Sequence, residues 1–561
     1  MMLEVKNLSI GIKKSGSKLV ENINLELAEG KCLGLVGETG SGKSITALSM
    51  IGLLPSQLEV SEGKILFGGK DLTTFSGKEM RQWRGSKISM IFQEPMTALN
   101  PLVRLGRQVQ EAILEHRNIT KQDARQKVLE LFRHVRLPRP EMIYSSYPHQ
   151  ISGGQKQRVM IAMAIANNPG LLIADEPSTA LDVTVQKEIL LLLKRLQKEY
   201  NMAMLFITHD LAVVSEIAEK VAVMYKGKLV EQGPVEQILK NPQHPYTQGL
   251  LSCHPPMGQR VKKLPTLDDF LNGDKKGPAW ETETDESRKE RLKHLYEKEP
   301  LLEINHLVKE YPLSKTLLGK TKEALRAVDE VSFKIYPGET LGLVGESGCG
   351  KTTLGRSLLR LIDADGGSIF YEKENLLTLS GKHLKNYRKD LNIIFQDPYS
   401  SLNPRQSVGE AILEPMQVHK MYKNRRERKE RVLDLLRKVG MKESHYYRYP
   451  HEFSGGQRQR IVIARALALN PRFIVCDEAV SALDVSVQAV VLNLLNDLKA
   501  EFGFTYIFIS HDLSVVRFMS DRIMVMKEGK IVEVGDADEI YFNPKNDYTK
   551  QLIAAIPQMQ H

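Results

Sequence analysis

Residues 33–44 read LGLVGETGSGKS, and residues 341–352 read LGLVGESGCGKT. In each, an apolar run ending in valine suits a buried strand. The Gly-x-x-x-x-Gly-Lys-Ser/Thr that follows, opening into a helical pattern, is the setting of a phosphate-binding loop. Glycines let successive backbone N–H groups turn inward around phosphate oxygens, and the helix behind them presents its positive end. Gly37, Gly40, Gly42, Lys43 and Ser44 make up the first loop; Gly345, Gly348, Gly350, Lys351, Thr352 and Thr353 belong to the second. The lysines are expected to reach terminal phosphates, and Ser44 and Thr352 to offer a hydroxyl to Mg²⁺. A chance lysine after a glycine turn would produce one such match in roughly one chain in fifty of this length at ordinary glycine frequency. Two matches in equivalent contexts exclude that reading.

The match extends well beyond the loops. Gly37 and Gly345 are offset by 308 residues; downstream, Ser152-Gly153-Gly154-Gln155 and Ser454-Gly455-Gly456-Gln457, then Asp175-Glu176 and Asp477-Glu478, then His209 and His511, all recur at an offset of 302. Shared order and spacing make this a duplication. The copies span residues 1–250 and 299–561, joined by a charged stretch, 251–298, whose Pro255, Pro256, Pro265 and Pro278 mark a linker with room for one short helix. Asp175 and Asp477 each close a run of four apolar residues, so a buried strand should deliver two carboxylates to a sheet edge, where open α/β folds bind ligands. The first acid suits Mg²⁺; the second, Glu176 or Glu478, suits polarising a water that attacks a γ-phosphate. Alone, an apolar strand ending in acids is commonplace, and a lone histidine at a strand end is more often structural; the upstream loops tip both readings towards the phosphate.

Composition sets bounds. The net charge of +10 admits attraction to nucleic acid or an anionic membrane, but no long run of like charge stands out and a solvated surface accounts for it. Cys32, Cys253, Cys349 and Cys476 are isolated, which points to neither a zinc site nor a disulfide framework. No run approaches the ~18 apolar residues of a spanning helix, and the amino terminus carries no secretion-signal pattern.

The set of phosphate loop, SGGQ, apolar strand with Asp-Glu, and strand-end histidine resembles the ATP-binding cassette (ABC) family over nearly all the chain outside the linker. The resemblance implies an α/β fold of two tandem P-loop NTPase domains, each with a RecA-like core, an antiparallel β subdomain and a helical subdomain. It also implies ATP and Mg²⁺ as cofactors, with Ser44, Gln93, Asp175, Thr352, Gln396 and Asp477 around the metal. In such proteins two cassettes pack head to tail, so ATP on Lys43 would be capped by Ser454, Gly456 and Gln457, and ATP on Lys351 by Ser152, Gly154 and Gln155. Asp182 and Asp484 resemble the loop that couples the two sites. The family's aromatic residue under adenine is matched by Tyr311 in the second copy and replaced by Ile12 in the first. Base stacking contributes about 1–3 kcal/mol, so the first site should hold ATP less tightly. Pro177 stands opposite Ala479 beside the acids; neither difference removes a catalytic group, and both sites are expected to hydrolyse ATP.

Further segments narrow the resemblance. Residues 94–101 (EPMTALNP), their counterparts Asp397-Pro398 and Leu402-Asn403-Pro404, and Asn241-Pro242-Gln243-His244-Pro245-Tyr246-Thr247 look like the ATPases of dipeptide, oligopeptide and nickel importers; the second copy keeps Asn543-Pro544-Lys545-Asn546-Asp547-Tyr548-Thr549. A fused pair of this kind is similar to the ATPase subunits of microcin C and oligopeptide transporters, and somewhat less to fused glutathione importers. The resemblance implies two transmembrane permease subunits, an extracytoplasmic peptide-binding protein, a peripheral position on the cytoplasmic face of the inner membrane, and no nucleic acid. Only Cys253 follows the first such motif, so no iron–sulfur cluster is inferred. A soluble translation factor with tandem cassettes is the alternative of another class, disfavoured by the prolines in the linker.

Overall fold

A computed structural model describes residues 2–93, 98–178, 181–256, 258–272, 280–315 and 321–556. Residues 94–97 of the importer-like segment, Thr179 and Ala180 before Asp182, and Pro278 lie outside the described residues. The chain divides into two units, one built from residues 1–251 with 267–277 and the other from 252–266 with 278–556.

In the first unit the strands are β1 (Leu3–Ile12), β2 (Lys18–Leu27), β3 (Cys32–Val36), β4 (Leu58–Phe67), β5 (Lys70–Asp71), β6 (Ile88–Ile91), β7 (Leu171–Asp175), β8 (Ala203–Thr208), β9 (Lys220–Tyr225) and β10 (Lys228–Pro234). They form an antiparallel sheet, β2-β1-β4-β5, and a six-stranded sheet, β10-β9-β3-β8-β7-β6. Within the larger sheet every pair except β9–β10 is parallel. Burial on both faces explains the unbroken apolar runs: Leu171 and Ile173 pack towards the antiparallel sheet and helix Lys43–Met50, while Leu172 and Ala174 face the opposite side. That second core continues into the helices Leu105–Leu114, Lys121–His134 and Gly153–Ile165.

The second unit repeats this plan with β11 (Leu302–Lys315), β12 (Thr321–Ile335), β13 (Thr340–Val344), β14 (Gly366–Tyr371), β15 (Glu374–Asn375), β16 (Leu391–Ile394), β17 (Phe473–Asp477), β18 (Thr505–Ile509), β19 (Arg522–Lys527) and β20 (Lys530–Asp536). Its sheets run β12-β11-β14-β15 and β16-β17-β18-β13-β19-β20. Because β3, β7 and β8, like β13, β17 and β18, are parallel, their carboxyl ends lie along one edge. The phosphate loop, the acid pair and the histidine follow those three ends.

Among the described residues, the stretch joining the copies holds two helices, Leu267–Leu271 and Asp285–Tyr296, and most of it packs with the second unit. Arg260 pairs with Glu283 and Asp538, Arg288 with Asp536 and Asp538, and Arg291 with Glu283 and Asp521. Leu264 exchanges two backbone hydrogen bonds with the Asn493 amide, each 2.8 Å.

Candidate functional site

The loop after β3 is held in place by its lysine. Lys43 Nζ donates to the carbonyls of Gly37 (2.7 Å) and Glu38 (2.9 Å), and Lys351 does the same to Gly345 and Glu346 at the same distances. Both lysines are buried. A Cβ on Gly37 would sit 2.2 Å from the Met224 carbonyl oxygen, and one on Gly345 2.2 Å from that of Met526, so only glycine lets the loop lie on the neighbouring strand's end. Gly42 and Gly350, at φ 103° and 112°, start the helices Lys43–Met50 and Lys351–Leu358 from the left-handed region that glycine tolerates. Gly40 and Gly348, at φ 82° and 83°, complete the same turn.

Ser44 Oγ donates to Asp175 Oδ1 at 3.2 Å, and Thr352 Oγ1 to Asp477 Oδ1 at 2.9 Å. Burial raises the Asp175 carboxyl to about 6, the Ser44 hydroxyl offsetting only part of that, and burial also raises Asp477. Arg356 lies 3.9 Å from Asp477, a cation that follows the second loop. Thr353 occupies the first turn of its helix, where the first copy has Ile45.

The residue that follows each of these strands is bent. Glu176 and Glu478 have φ of 47° and 49°, although neither is glycine. Each is pinned by its own N–H to the adjacent strand, Glu176 to Ile207 (2.9 Å) and Glu478 to Ile509 (3.0 Å). The left-handed residue turns the second carboxylate out of the strand's alternation. There it meets the other expected groups: Gln93 Nε2 donates to Glu176 Oε2 at 3.1 Å, Gln396 Nε2 to Glu478 Oε2 at 2.7 Å, and His209 and His511 Nδ1 stand 3.4 and 3.9 Å from the same oxygens.

Each SGGQ segment is a helix start. Ser152 Oγ accepts from Gln155 N (3.3 Å) while Gln155 Oε1 accepts from Ser152 N (3.1 Å), and Ser454 and Gln457 repeat the exchange at 3.4 and 3.2 Å. This reciprocal cap satisfies two of the orphan donors at a helix N-terminus. Gly154 and Gly456 let the following helices lie close: a Cβ would stand 2.7 Å from Val185 and 2.3 Å from Val487. Asp182 accepts from Val185 N at 2.9 Å, capping the helix Val183–Glu199.

Tyr311 sits near the outer end of β11, partly exposed, with Lys309 Nζ 5.6 Å from its ring centre. The shared bulges, Val5/Leu8 in β1 and Ile304/Leu307 in β11, make Ile12 and Tyr311 equivalent positions. Reading the sequence did not find the partners of Tyr246 and Tyr548. Their hydroxyls accept from Glu38 N and Glu346 N, each at 3.0 Å. The NPxxxYT recurrence was the signal available.

Among known proteins, the ABC transporter family pattern matches residues 20–179 and 328–481, and the oligopeptide/dipeptide transporter C-terminal region matches 230–273 and 532–561. The glutathione import ATP-binding protein GsiA of Escherichia coli K12 is 47% identical over 569 residues, spanning 99% of this chain and 89% of the relative. GsiA of Shigella flexneri is 47% identical over 564 residues with the same coverage. The dimeric structure of a bacterial ABC transporter cassette shares 28% identity over 42% of this chain and 98% of that one, with a TM-score of 0.38. With the family pattern matched in both halves and relatives aligned over 99% of its length, the chain belongs to the ABC transporter family as an ATP-binding protein with two cassettes.

Proposed function

We propose that this protein is the ATPase subunit of a glutathione-class importer. The carrying observation is the 47% identity over 99% of the chain to proteins named glutathione import ATP-binding proteins. That favours the glutathione alternative over the microcin C and oligopeptide reading; the oligopeptide/dipeptide C-terminal region, matched twice, fits both.

ATP would lie on the two phosphate loops, with Lys43 and Lys351 exchanging loop carbonyls for phosphate oxygens. Mg²⁺ fits the donor set. The Ser44 hydroxyl and Asp175 carboxylate, like Thr352 and Asp477, are hard oxygen ligands, few enough that phosphates and water fill the remaining positions. Among the described residues no cluster of three or more His, Cys, Asp or Glu forms an all-protein cage. The ion would neutralise phosphate charge. Glu176 and Glu478 would accept a proton from the attacking water as its oxygen bonds to the γ-phosphorus and the bond to the β-bridging oxygen breaks. His209 and His511 would hold the γ-phosphate; Gln93 and Gln396, bound to the acids, would report its presence. The Ser152 and Ser454 segments would each close the site of the other copy, so that the cassettes pair within the chain.

Among the described residues no helix is long and apolar enough to cross a membrane. Permease subunits would carry the substrate, and a cavity of about 470 Å³ lined by Arg84, Phe92, Gln108, Glu111 and Met160 supports docking there. The chain would lie on the cytoplasmic face. The test is to purify the complex with its permeases and binding protein, reconstitute it in liposomes, and add reduced glutathione or di- and oligopeptides. Supplied on the side of the binding protein, glutathione should accelerate ATP hydrolysis and accumulate in the compartment that holds the ATPase; stimulation by oligopeptides alone would reject the reading.

A further inference from the structure

Both copies spend a buried tyrosine hydroxyl on the phosphate loop. Tyr246 is wholly buried in the helix Pro245–Ser252, and Tyr548 is 7% exposed in the helix Asp547–Ala555. The N–H each accepts, from Glu38 or Glu346, belongs to the same peptide group whose C=O, on Gly37 or Gly345, takes the loop lysine at 2.7 Å. In a trans peptide those two groups point opposite ways. One peptide is thus gripped from both sides, by the tyrosine on one and the lysine on the other.

The supports behind the two tyrosines differ. Tyr225 stacks on Tyr246 with ring centres 4.3 Å apart, whereas Lys527 stands 4.8 Å over the ring of Tyr548. The tyrosine N–H is accepted by His244 Nδ1 (3.1 Å) in one copy and by Asn546 Oδ1 (2.9 Å) in the other. The approach is otherwise the same, since Glu231 and Glu533 each accept two backbone N–H groups of the preceding turn. Different neighbours deliver one hydroxyl to one atom of the loop.

We propose that Tyr246 and Tyr548 are positioning residues for ATP: each hydroxyl holds the peptide at the base of its phosphate loop in place when the lysine leaves it for the phosphates. This rests on the reading that these loops carry the ATP phosphates. A carbonyl losing a charged donor would let its peptide rotate, and the buried tyrosine oxygen opposes that rotation by keeping the N–H paired. The grip lies at the loop's base, away from the reacting bond, so it governs binding and not turnover.

The experiment compares the full chain, in complex with its permeases, with Tyr246→Phe, Tyr548→Phe and the double variant, which keep the ring and remove only the hydroxyl. Binding is read with a fluorescent ATP analogue and turnover by phosphate release. In the double variant KM and the analogue's Kd should rise roughly tenfold, with kcat at saturating ATP within about twofold and the nucleotide-free thermal midpoint lower by no more than a few degrees. Tyr225→Phe, which removes a hydroxyl from the stacked ring behind Tyr246 but not the loop contact, should leave KM unchanged. Lys43→Ala with Lys351→Ala separates the two readings. If the lysine variants abolish binding while the tyrosine variants keep the parental KM, the positioning role is overturned and the ATP site stands. If the lysine variants bind ATP normally, the ATP-site reading itself fails. A fall in kcat matched by a fall in thermal midpoint would reduce the tyrosines to packing; should Tyr246→Phe not fold, the less buried Tyr548→Phe alone decides.

Discussion

Glu176 and Glu478 carry the strongest residue-scale signature of the site. A glutamate in the left-handed region is uncommon and costs on the order of 1 kcal/mol or more, yet both copies keep it, held by the backbone bonds to Ile207 and Ile509. Replacing both by glutamine keeps shape and hydrogen bonding but removes the proposed proton acceptor. Steady-state ATPase activity in the double variant should fall at least about 100-fold while ATP still binds; undiminished phosphate release would refute the assignment. On the proposed reading the adenine side is uneven, with Ile12 standing where the second copy has Tyr311. In a chain with Lys351→Ala, so that only the first loop binds, Ile12→Tyr should tighten nucleotide binding by about 1–3 kcal/mol, read by titration with the fluorescent analogue. No change would remove the account of Ile12 as a weakened contact.

At the scale of elements, the two helices that begin at SGGQ depend on a close crossing. Gly456 leaves no room for a side chain against Val487 in the neighbouring helix Val485–Phe502. Gly456→Ala should therefore lower stability by about 1–3 kcal/mol, and adding Val487→Ala should recover part of it, a coupling visible in urea unfolding of the four-member cycle. The acid pairs, the loops and the histidines were legible in the sequence because each is a local pattern tied to the end of one strand. The capping role of Ser152 and Gln155 is also written there, as Ser-x-x-Gln at the start of a helix. What no local pattern carried was the tyrosine contact, which joins residues 208 apart in the first copy and 202 in the second.

At the scale of the whole molecule, the copies differ where the joining stretch lies. Where the second copy has Arg517, Asp536 and Asn493, the first has Ser215, Pro234 and Leu191. Those second-copy residues, with Asp538 and Asp521, are among those that contact Arg260, Leu264, Arg288 or Arg291 or the chain beside them. Asp521 is buried, which alone would raise its carboxyl, but Lys499 and Arg291 together with the Thr340 N–H hold it well below the usual range. A depressed folded-state pKa means that its stabilisation is present above about pH 4 and is lost as the pH falls below that. A fragment of residues 299–561 loses the three arginines and leaves these carboxylates short of partners. Its thermal midpoint should lie about 10 °C below that of residues 252–561, and the gap should narrow in acid. Equal midpoints would mean that the stretch is only a tether.

The amino-acid sequence by itself determined the duplication, the parallel α/β plan and which residues stand at each strand end, because these follow from short patterns whose spacing sets which strand carries which group. Tertiary structure decided the rest. It turned Glu176 and Glu478 out of their strands, set Gln93 and Gln396 on those acids, brought Tyr246 and Tyr548 to the loops, and made most of the joining stretch part of the second unit. Each of these depends on backbone groups and charges that lie far apart in the chain and find one another only once burial leaves them no water to bond instead.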